Sequence, residues 1–171
     1  HVLPKATRKR VRWHGEKRVI HSADLGGQQR FWNLWIDDMV ERQVEVVVFL
    51  IDDRGKTGTN GDIIDAVGGL DYLVDALLER KWRYRSLMTW VKGRKYAPKQ
   101  IWVIANKADK WWDQNANVLW QSKRLREHSI FDPYRASMVK LQKAGIPCRV
   151  NMMATKIGWN VEQSLLEMLS W

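Results

Sequence analysis

The stretch QIWVIANKAD, residues 100–109, is an apolar run that ends in a group of polar side chains. Such a run is typical of a strand that is buried on both faces of a parallel sheet. The same pattern occurs in VEVVVFLIDD (44–53) and, more weakly, in CRVNMMAT (148–155). Because parallel strands are joined by helical crossovers, these runs predict an α/β fold.

Two other segments have the periodicity of amphipathic helices. Residues 62–80 place apolar side chains at helical spacing, and residues 160–171 do so over a shorter stretch. Gly68 and Gly69 fall in the middle of the first segment, where glycine disfavours a helix. The pattern still predicts a helix at each place.

Start and stop signals predict a further helix over residues 132–145. Asp132 is a suitable N-cap, and Pro133 follows in the first turn. Gly145 then ends the helix, with a proline two residues later.

An antiparallel hairpin is predicted near the beginning of the chain. Residues 8–13 and 17–23 have the composition of strands, and they flank a turn at Gly15. We therefore expect a mostly parallel sheet flanked by helices, with one antiparallel hairpin strand.

Length and composition fit one domain that spans residues 1–171, because 45% of the residues are hydrophobic. No run approaches the roughly 18 apolar residues of a membrane span, and no secretory signal pattern opens the chain. The single cysteine, Cys148, cannot form an intramolecular disulfide, which fits a reducing compartment. These observations predict a soluble, cytoplasmic protein.

The formal net charge of +10 suggests a polyanionic partner, either nucleic acid or an anionic membrane. A solubilising basic surface explains the same charge, and no nucleic-acid-binding motif accompanies it. The chain also has 11 tryptophans, an unusual number. Several lie next to candidate loops, where exposed indoles tend to mark interaction surfaces: Trp32, Trp35, Trp111, Trp112 and Trp120.

Distinctive residues follow three of the predicted strands, at the carboxyl ends where α/β sheets bind ligands. They are DLGGQ (24–28), NKAD (106–109) and ATK (154–156). In this order the segments resemble the D-x-G-G-Q, N-K-x-D and S-A-K-type motifs of Ras-like small GTPases, and the Arf-like branch is nearest. The resemblance implies a three-layer, P-loop NTPase-like fold.

The resemblance further implies a guanine site. The Asp109 carboxylate would accept hydrogen bonds from the N1–H and the exocyclic amine of guanine, a pattern that adenine does not offer. Asn106 would bond the purine edge or tie neighbouring loops together, and the stem of Lys107 would lie along the base. Backbone amides of the third motif would point at the guanine oxygen: Ala154, Thr155 and Lys156.

A phosphate and magnesium site is implied by the first motif. Gly27 lets its backbone N–H approach a terminal phosphate, and Gly26 adds mobility to the loop. Asp24 would hold Mg²⁺ through water, and Gln28 would orient the attacking water. Thr7 is a candidate for the switch-I threonine that binds Mg²⁺, although any basic surface segment can contain a threonine.

Each motif taken singly also has a ligand-free interpretation, as a strand-ending turn, an Asx-type cap or a helix N-cap. Moreover, nothing in the chain matches the phosphate loop G-x-x-x-x-G-K-[ST]. The segment RGKTGTNG (54–61) comes closest, but it lacks the first glycine at the required spacing and follows the wrong strand. Either a first strand, phosphate loop and helix belong to a longer protein, which we favour, or the domain lacks them.

The sequence therefore predicts a guanine-nucleotide-binding molecular switch that hydrolyses GTP with Mg²⁺ and acts on protein effectors or regulators. The alternative is a nucleotide-free pseudo-GTPase scaffold that binds a protein or polyanion through a basic, Trp-rich surface. Without a phosphate loop, the chain by itself is expected to bind guanine nucleotide weakly or not at all, and to be inactive. Two segments, 53–100 and 110–147, are longer than the minimum for the family. Trp111 or Trp112 would shield the guanine or anchor the loop that follows.

Overall fold

The computed structural model describes residues 5–13, 16–24, 27–52, 56–57, 64–83 and 97–169. The strands are β1 (Lys5–Trp13), β2 (Glu16–Asp24), β3 (Val46–Ile51), β4 (Lys56–Thr57), β5 (Ile64–Asp65), β6 (Gln100–Ala105) and β7 (Cys148–Met152). The helices are α1 (Trp32–Arg42), α2 (Ala66–Arg83), α3 (Ala108–Trp111), α4 (Gln114–Gln121), α5 (Arg135–Lys143) and α6 (Val161–Leu169).

The three apolar runs form one parallel sheet with the strand order β3-β6-β7. Every residue of β6 is buried, because this strand has a neighbour on each side and helices on both faces. This confirms the α/β class and the strand predicted over 100–109. By contrast, Val48 and Leu50 in β3 are 43% and 51% exposed. The expectation that residues 44–53 are buried on both faces was therefore wrong.

The larger core lies on the face of the sheet that α1, α2 and α5 cover. Leu70, Leu73, Val74 and Leu77 of α2 are all buried there. The opposite face carries α6, whose Met168 packs with Trp102 and Ile104 of β6. Helices on both faces make three layers over β6. Since β3 is the edge strand among the described strands, its outer half lies beyond the cover that α6 provides.

Two glycines let α2 pack closely against α1. A Cβ at Gly68 would lie 3.1 Å from Cη2 of Trp32, and one at Gly69 would lie 3.2 Å from Cη2 of Trp35. The Gly68 amide also donates to Oδ1 of Asp65 at 2.9 Å, just before the helix. The helix predicted over 62–80 is confirmed for 66–80, and the glycines that weakened it serve its packing.

The hairpin consists of β1 and β2, which pair antiparallel from Lys5 opposite Asp24 to Trp13 opposite Glu16. The two strands are longer than predicted, and the turn at residues 14–15 lies outside the described residues. Among the described strands, they pair only with each other. The prediction that the hairpin contributes a strand to the main sheet is thus not confirmed, because the described strands of that sheet are all parallel.

The predicted helix at 132–145 begins later than expected. Residues 129–134 form a 3₁₀ turn that contains Pro133, and α5 begins only at Arg135. The turn is capped by His128, whose Nδ1 accepts from the Ile130 amide at 3.3 Å, so Asp132 is not the N-cap. Gly145, with φ +72°, follows the helix end as predicted. No helix in the described part of the chain has the length and apolarity needed to cross a membrane.

Candidate functional site

The loops that follow β6 and β7 meet at the carboxyl edge of the parallel sheet. Oδ1 of Asn106 accepts hydrogen bonds from the backbone amide and the hydroxyl of Thr155, each at 3.2 Å. A third bond joins the amide of Ala108 to the carbonyl of Met153 at 3.1 Å. The structure therefore brings the second and third predicted motifs together.

Asn106 also fixes its own loop. Its Oδ1 accepts from the Lys107 amide at 2.8 Å, and its backbone N–H donates to the Ile51 carbonyl at 2.7 Å. One side-chain oxygen thus receives three donors, while the backbone ties the loop to the end of β3. Of the two roles expected for Asn106, the structure contains the one that ties loops together.

Lys107 joins a third strand end to this edge. Its Nζ lies 2.6 Å from Oδ2 of Asp52, the residue that follows β3, and both side chains are partly exposed. Lys107 has φ 57°, a left-handed conformation that is uncommon outside glycine. Sequence reasoning did not identify Asp52, because its partner is 55 positions away in the chain.

Asp109 and Lys156 are the exposed charged residues of the two motifs. Asp109 lies in the first turn of α3, and within the described residues its carboxylate makes no hydrogen bond or ion pair. Lys156 lies in the 3₁₀ turn 155–157. A carboxylate acceptor and a cation therefore stand beside loops that are already hydrogen-bonded to each other.

The turn that carries the third motif is closed on itself. Ala154 and Trp159 exchange two backbone hydrogen bonds, of 3.1 and 3.2 Å. Gly158, at φ +72°, provides the left-handed residue that this reversal needs. Ala154 is buried, and its backbone N–H, which was expected to point at the guanine oxygen, already donates to the Trp159 carbonyl.

Tryptophans connect this turn to the N-K-x-D loop. The rings of Trp112, Trp120 and Trp159 form a Trp triad, with centroid separations of 5.5 to 5.9 Å and edge-to-face geometry. Trp111 donates from Nε1 to the carbonyl of Asn106 at 2.8 Å and lies 5.5 Å from the His128 ring. Trp111 thus ties α3 back to Asn106 at the start of the N-K-x-D loop, whereas the expected anchoring concerned the loop that follows Trp111. Trp159 was missed by sequence reasoning, and its position next to the third motif was the available signal.

The first motif lies on a different part of the chain. Gly27 is exposed, and its carbonyl accepts from Nε1 of Trp32 at 3.4 Å. Gln28 is half-buried and precedes the 3₁₀ turn 29–31. Leu25 and Gly26 lie outside the described residues.

The proposed Mg²⁺ residues lie on the hairpin. Its register pairs Thr7 with Ser22 and Lys5 with Asp24, so Thr7 and Asp24 are diagonal neighbours at one end of the two strands. Their side chains lie outside what the structure describes. Among the described residues there is no group of three His, Cys, Asp or Glu side chains that could hold a metal.

Trp32 connects Gly27 to the start of α2. Trp32, which bonds Gly27, lies beside Gly68 and Asp65 at the start of α2. The Tyr134 hydroxyl is buried, and this burial, together with the negative charges of Asp52 and Asp65, raises the pKa of Tyr134 to about 12. Within the described residues this hydroxyl has no hydrogen-bond partner.

Comparison with models of known protein families, and with curated proteins, finds no match to this chain.

Proposed function

We propose that this chain is the guanine-recognising and water-orienting part of a cytoplasmic, Ras- or Arf-like GTP-binding switch. The observation that carries the proposal is the Asn106 side chain, which holds the N-K-x-D loop and the A-T-K turn together. Asp109 and Lys156 remain exposed beside this junction. The pairing of β6 with β7 brings the two loops to one edge of the sheet, and Asn106 holds them together there.

In this proposal, the joined loops recognise the base. Asp109 accepts from the N1–H and the 2-amine of guanine, and the stem of Lys107 lies along the ring face while Asp52 holds its ammonium. The backbone N–H of Lys156 points toward the guanine oxygen, since the Thr155 N–H already donates to Oδ1 of Asn106. Adenine presents an amine where guanine presents that oxygen, so adenine is rejected.

The first motif senses the terminal phosphate. The backbone N–H of Gly27 approaches the γ-phosphate, and Gln28 orients the attacking water. Thr7 and Asp24, diagonal neighbours in the hairpin, supply the hydroxyl and carboxylate oxygens that Mg²⁺ prefers. Bound Mg²⁺ neutralises charge on the phosphates.

The phosphate-wrapping loop would come from an additional strand and helix beside β3. Among the described strands, β3 has one neighbour, and its apolar Val48 and Leu50 are exposed on the face that α6 covers elsewhere. A strand paired with β3, followed by a helix over these side chains, would cover this surface. Most of the nucleotide affinity depends on that unit, so the 171-residue chain alone binds weakly or not at all and is inactive.

Isothermal titration calorimetry with Mg²⁺ and GTP, GDP or ATP tests the proposal. It is run on the 171-residue chain and on a longer version that adds the strand, phosphate loop and helix. The longer version should bind GTP and GDP but not ATP. In Asp109→Asn, an amide donor replaces one acceptor, so the variant should prefer xanthosine diphosphate, whose ring has a carbonyl in place of the 2-amine. Equal binding of ATP and GTP, or tight GDP binding by the 171-residue chain, would contradict the proposal.

A further inference from the structure

The geometry points to the Trp triad as a clamp that sets the distance between the N-K-x-D loop and the A-T-K turn. Trp112 comes three residues after Asp109, and Trp159 comes four residues after Thr155. Their ring centroids are 5.5 Å apart, at an interplanar angle of 64°. Each of the two loops therefore ends in an indole that touches the indole of the other loop.

The third member of the Trp triad comes from α4, the helix that follows the N-K-x-D loop and α3. Trp120 lies in α4, whose N-terminus is capped by Asp113, with Oδ1 of Asp113 accepting from the Ala116 amide at 2.7 Å. Its ring contacts Trp112 at 5.8 Å and Trp159 at 5.9 Å. One rigid element thus braces both loops at once.

The burial of the Trp triad differs from that of ordinary core aromatics. Phe131 and Tyr134 are almost fully buried, whereas the three indoles are only partly buried and pack at the border of the core. Edge-to-face contacts favour defined ring orientations in addition to burying area. The Trp triad therefore positions the loops more than it fills the interior.

This clamp complements the bonds to Asn106 on the other side of the same junction. Asn106 ties the beginnings of the two loops, and the Trp triad ties their ends. To bind a purine, the two loops must stand at a fixed distance from each other, because the hydrogen bonds from the loops to the base tolerate little change in length. We infer that Trp112, Trp120 and Trp159 are positioning residues for base selectivity, an assignment that rests on the proposed function, although the clamp itself does not.

Hydrogen exchange tests the clamp without any nucleotide. In Trp159→Leu, the amides of Thr155 and Ala108 should exchange about tenfold faster, since two aromatic contacts are lost. The amides of β6 should keep their protection. The matched control is Tyr72→Leu, which removes one ring contact, to Trp32, on the other side of the core; it should leave Thr155 and Ala108 unchanged. Unchanged exchange in Trp159→Leu overturns the inference.

A conservative variant keeps the test readable if Trp159→Leu fails to fold. Trp159→Phe retains an aromatic edge, so its exchange rates should fall between those of the wild type and the leucine variant. Trp112→Leu removes the opposite partner and should speed exchange at the same two amides. Equal rates in Trp159→Phe and the wild type, together with no change in Trp112→Leu, would also overturn the clamp.

Base selectivity then tests the role of the clamp in recognition. In the version of the protein that includes the phosphate loop, Trp159→Leu should reduce the preference for GDP over inosine diphosphate, which lacks the 2-amine, by about threefold or more. A general loss of protein stability would weaken the binding of GDP and of inosine diphosphate equally. If the wild type binds neither nucleotide, the proposed function is wrong. The hydrogen-exchange rates then remain as the test of whether the Trp triad holds the two loops together. If the wild type binds and the ratio is unchanged, the positioning role fails.

Discussion

Among the described residues, the loops after β6 and β7 are tied at more points than the segment around Gly27. Asn106, Lys107 and the Trp triad connect the first region to three strand ends and to α4. Within the described residues, the second region is held by the 3.4 Å bond from Trp32 to Gly27 and by a 2.9 Å bond from the Phe31 amide to the Gln28 carbonyl. Because local stability follows the number of such contacts, the two regions should open with different free energies.

This difference matches two physical tasks. Selecting a base requires donors and acceptors at fixed distances, so the loops that do it benefit from being organised in advance. Sensing a terminal phosphate requires a segment that adopts one arrangement with the phosphate and another without it.

The largest effect is expected for Asn106→Ala. Three donors lose their acceptor, so the free energy of unfolding should fall by about 3 kcal/mol, measured by urea denaturation. The matched control is Asn117→Ala in α4, where the side chain accepts only a 3.4 Å bond from Gln121, and the change should be below about 0.5 kcal/mol. Equal effects of the two substitutions would show that the base loops are not held as described.

On the phosphate side, Gln28→Leu should slow single-turnover GTP hydrolysis about a hundredfold, in the version with a phosphate loop, with little change in GTP affinity. Gln29→Leu is the matched control, because this neighbouring glutamine is exposed and has no assigned role. An unchanged rate in Gln28→Leu would remove Gln28 from the mechanism.

Asp52→Asn should lower the free energy of unfolding by about 1 kcal/mol, because Lys107 loses a partly buried partner. The control is Glu45→Gln, which breaks the more exposed Lys99–Glu45 pair and should cost nearly nothing. Thermal denaturation of both variants at one pH provides the comparison. A larger loss of stability in Glu45→Gln than in Asp52→Asn would contradict the conclusion that the Lys107–Asp52 pair stabilises the protein.

Alkaline pH tests the packing of β7 at its first residue, Cys148, at the opposite end of the strand from the tied loops. Burial raises the pKa of Cys148 to about 11 from an ordinary value of 9.0, so the thiolate forms more readily in the unfolded chain. The stabilising contribution is complete below pH 9 and is lost as the pH rises through 11, by about 1 kcal/mol at pH 10. Cys148→Ala should remove this part of the pH dependence. Alkylation of Cys148 at pH 8 should likewise be slow.

The smallest effect is expected for Gly27→Ala. Gly27 is exposed and weakly held, so the free energy of unfolding should change by less than about 0.5 kcal/mol. Denaturation of this variant beside Asn106→Ala compares one site from each region directly. A loss near that of Asn106→Ala would erase the contrast between them.

The sequence predicted best where one strand or helix determines its own environment. The run 100–105 is apolar at nearly every position, so its own pattern predicts a strand buried on both faces, and β6 is such a strand. The exposure of Val48 and Leu50 depends on which neighbours cover β3, which its own pattern does not contain. The start of α5 depends on His128 capping the preceding turn, a competition with Asp132 that local signals left undecided.

The candidate site divides in the same way. The motif residues were found because their types and order carry chemistry, and the junction at Asn106 followed from adjacent parallel strands. The partners that hold them were not found. Asp52 and Trp159 come from distant parts of the chain, and Gly68 and Gly69 looked unfavourable until the indoles of α1 were placed against them.

The side of β3 that no described strand pairs with also has a consequence for the solubility of the protein. The strand VVVFLI has no charged residue, and an uncharged, β-branched edge is the type that recruits other extended chains. Natural proteins protect such edges with a gatekeeper lysine, and β3 has none. Purified without a covering partner, the chain should therefore self-associate as its concentration rises, and Val48→Lys is the substitution that would keep it dispersed.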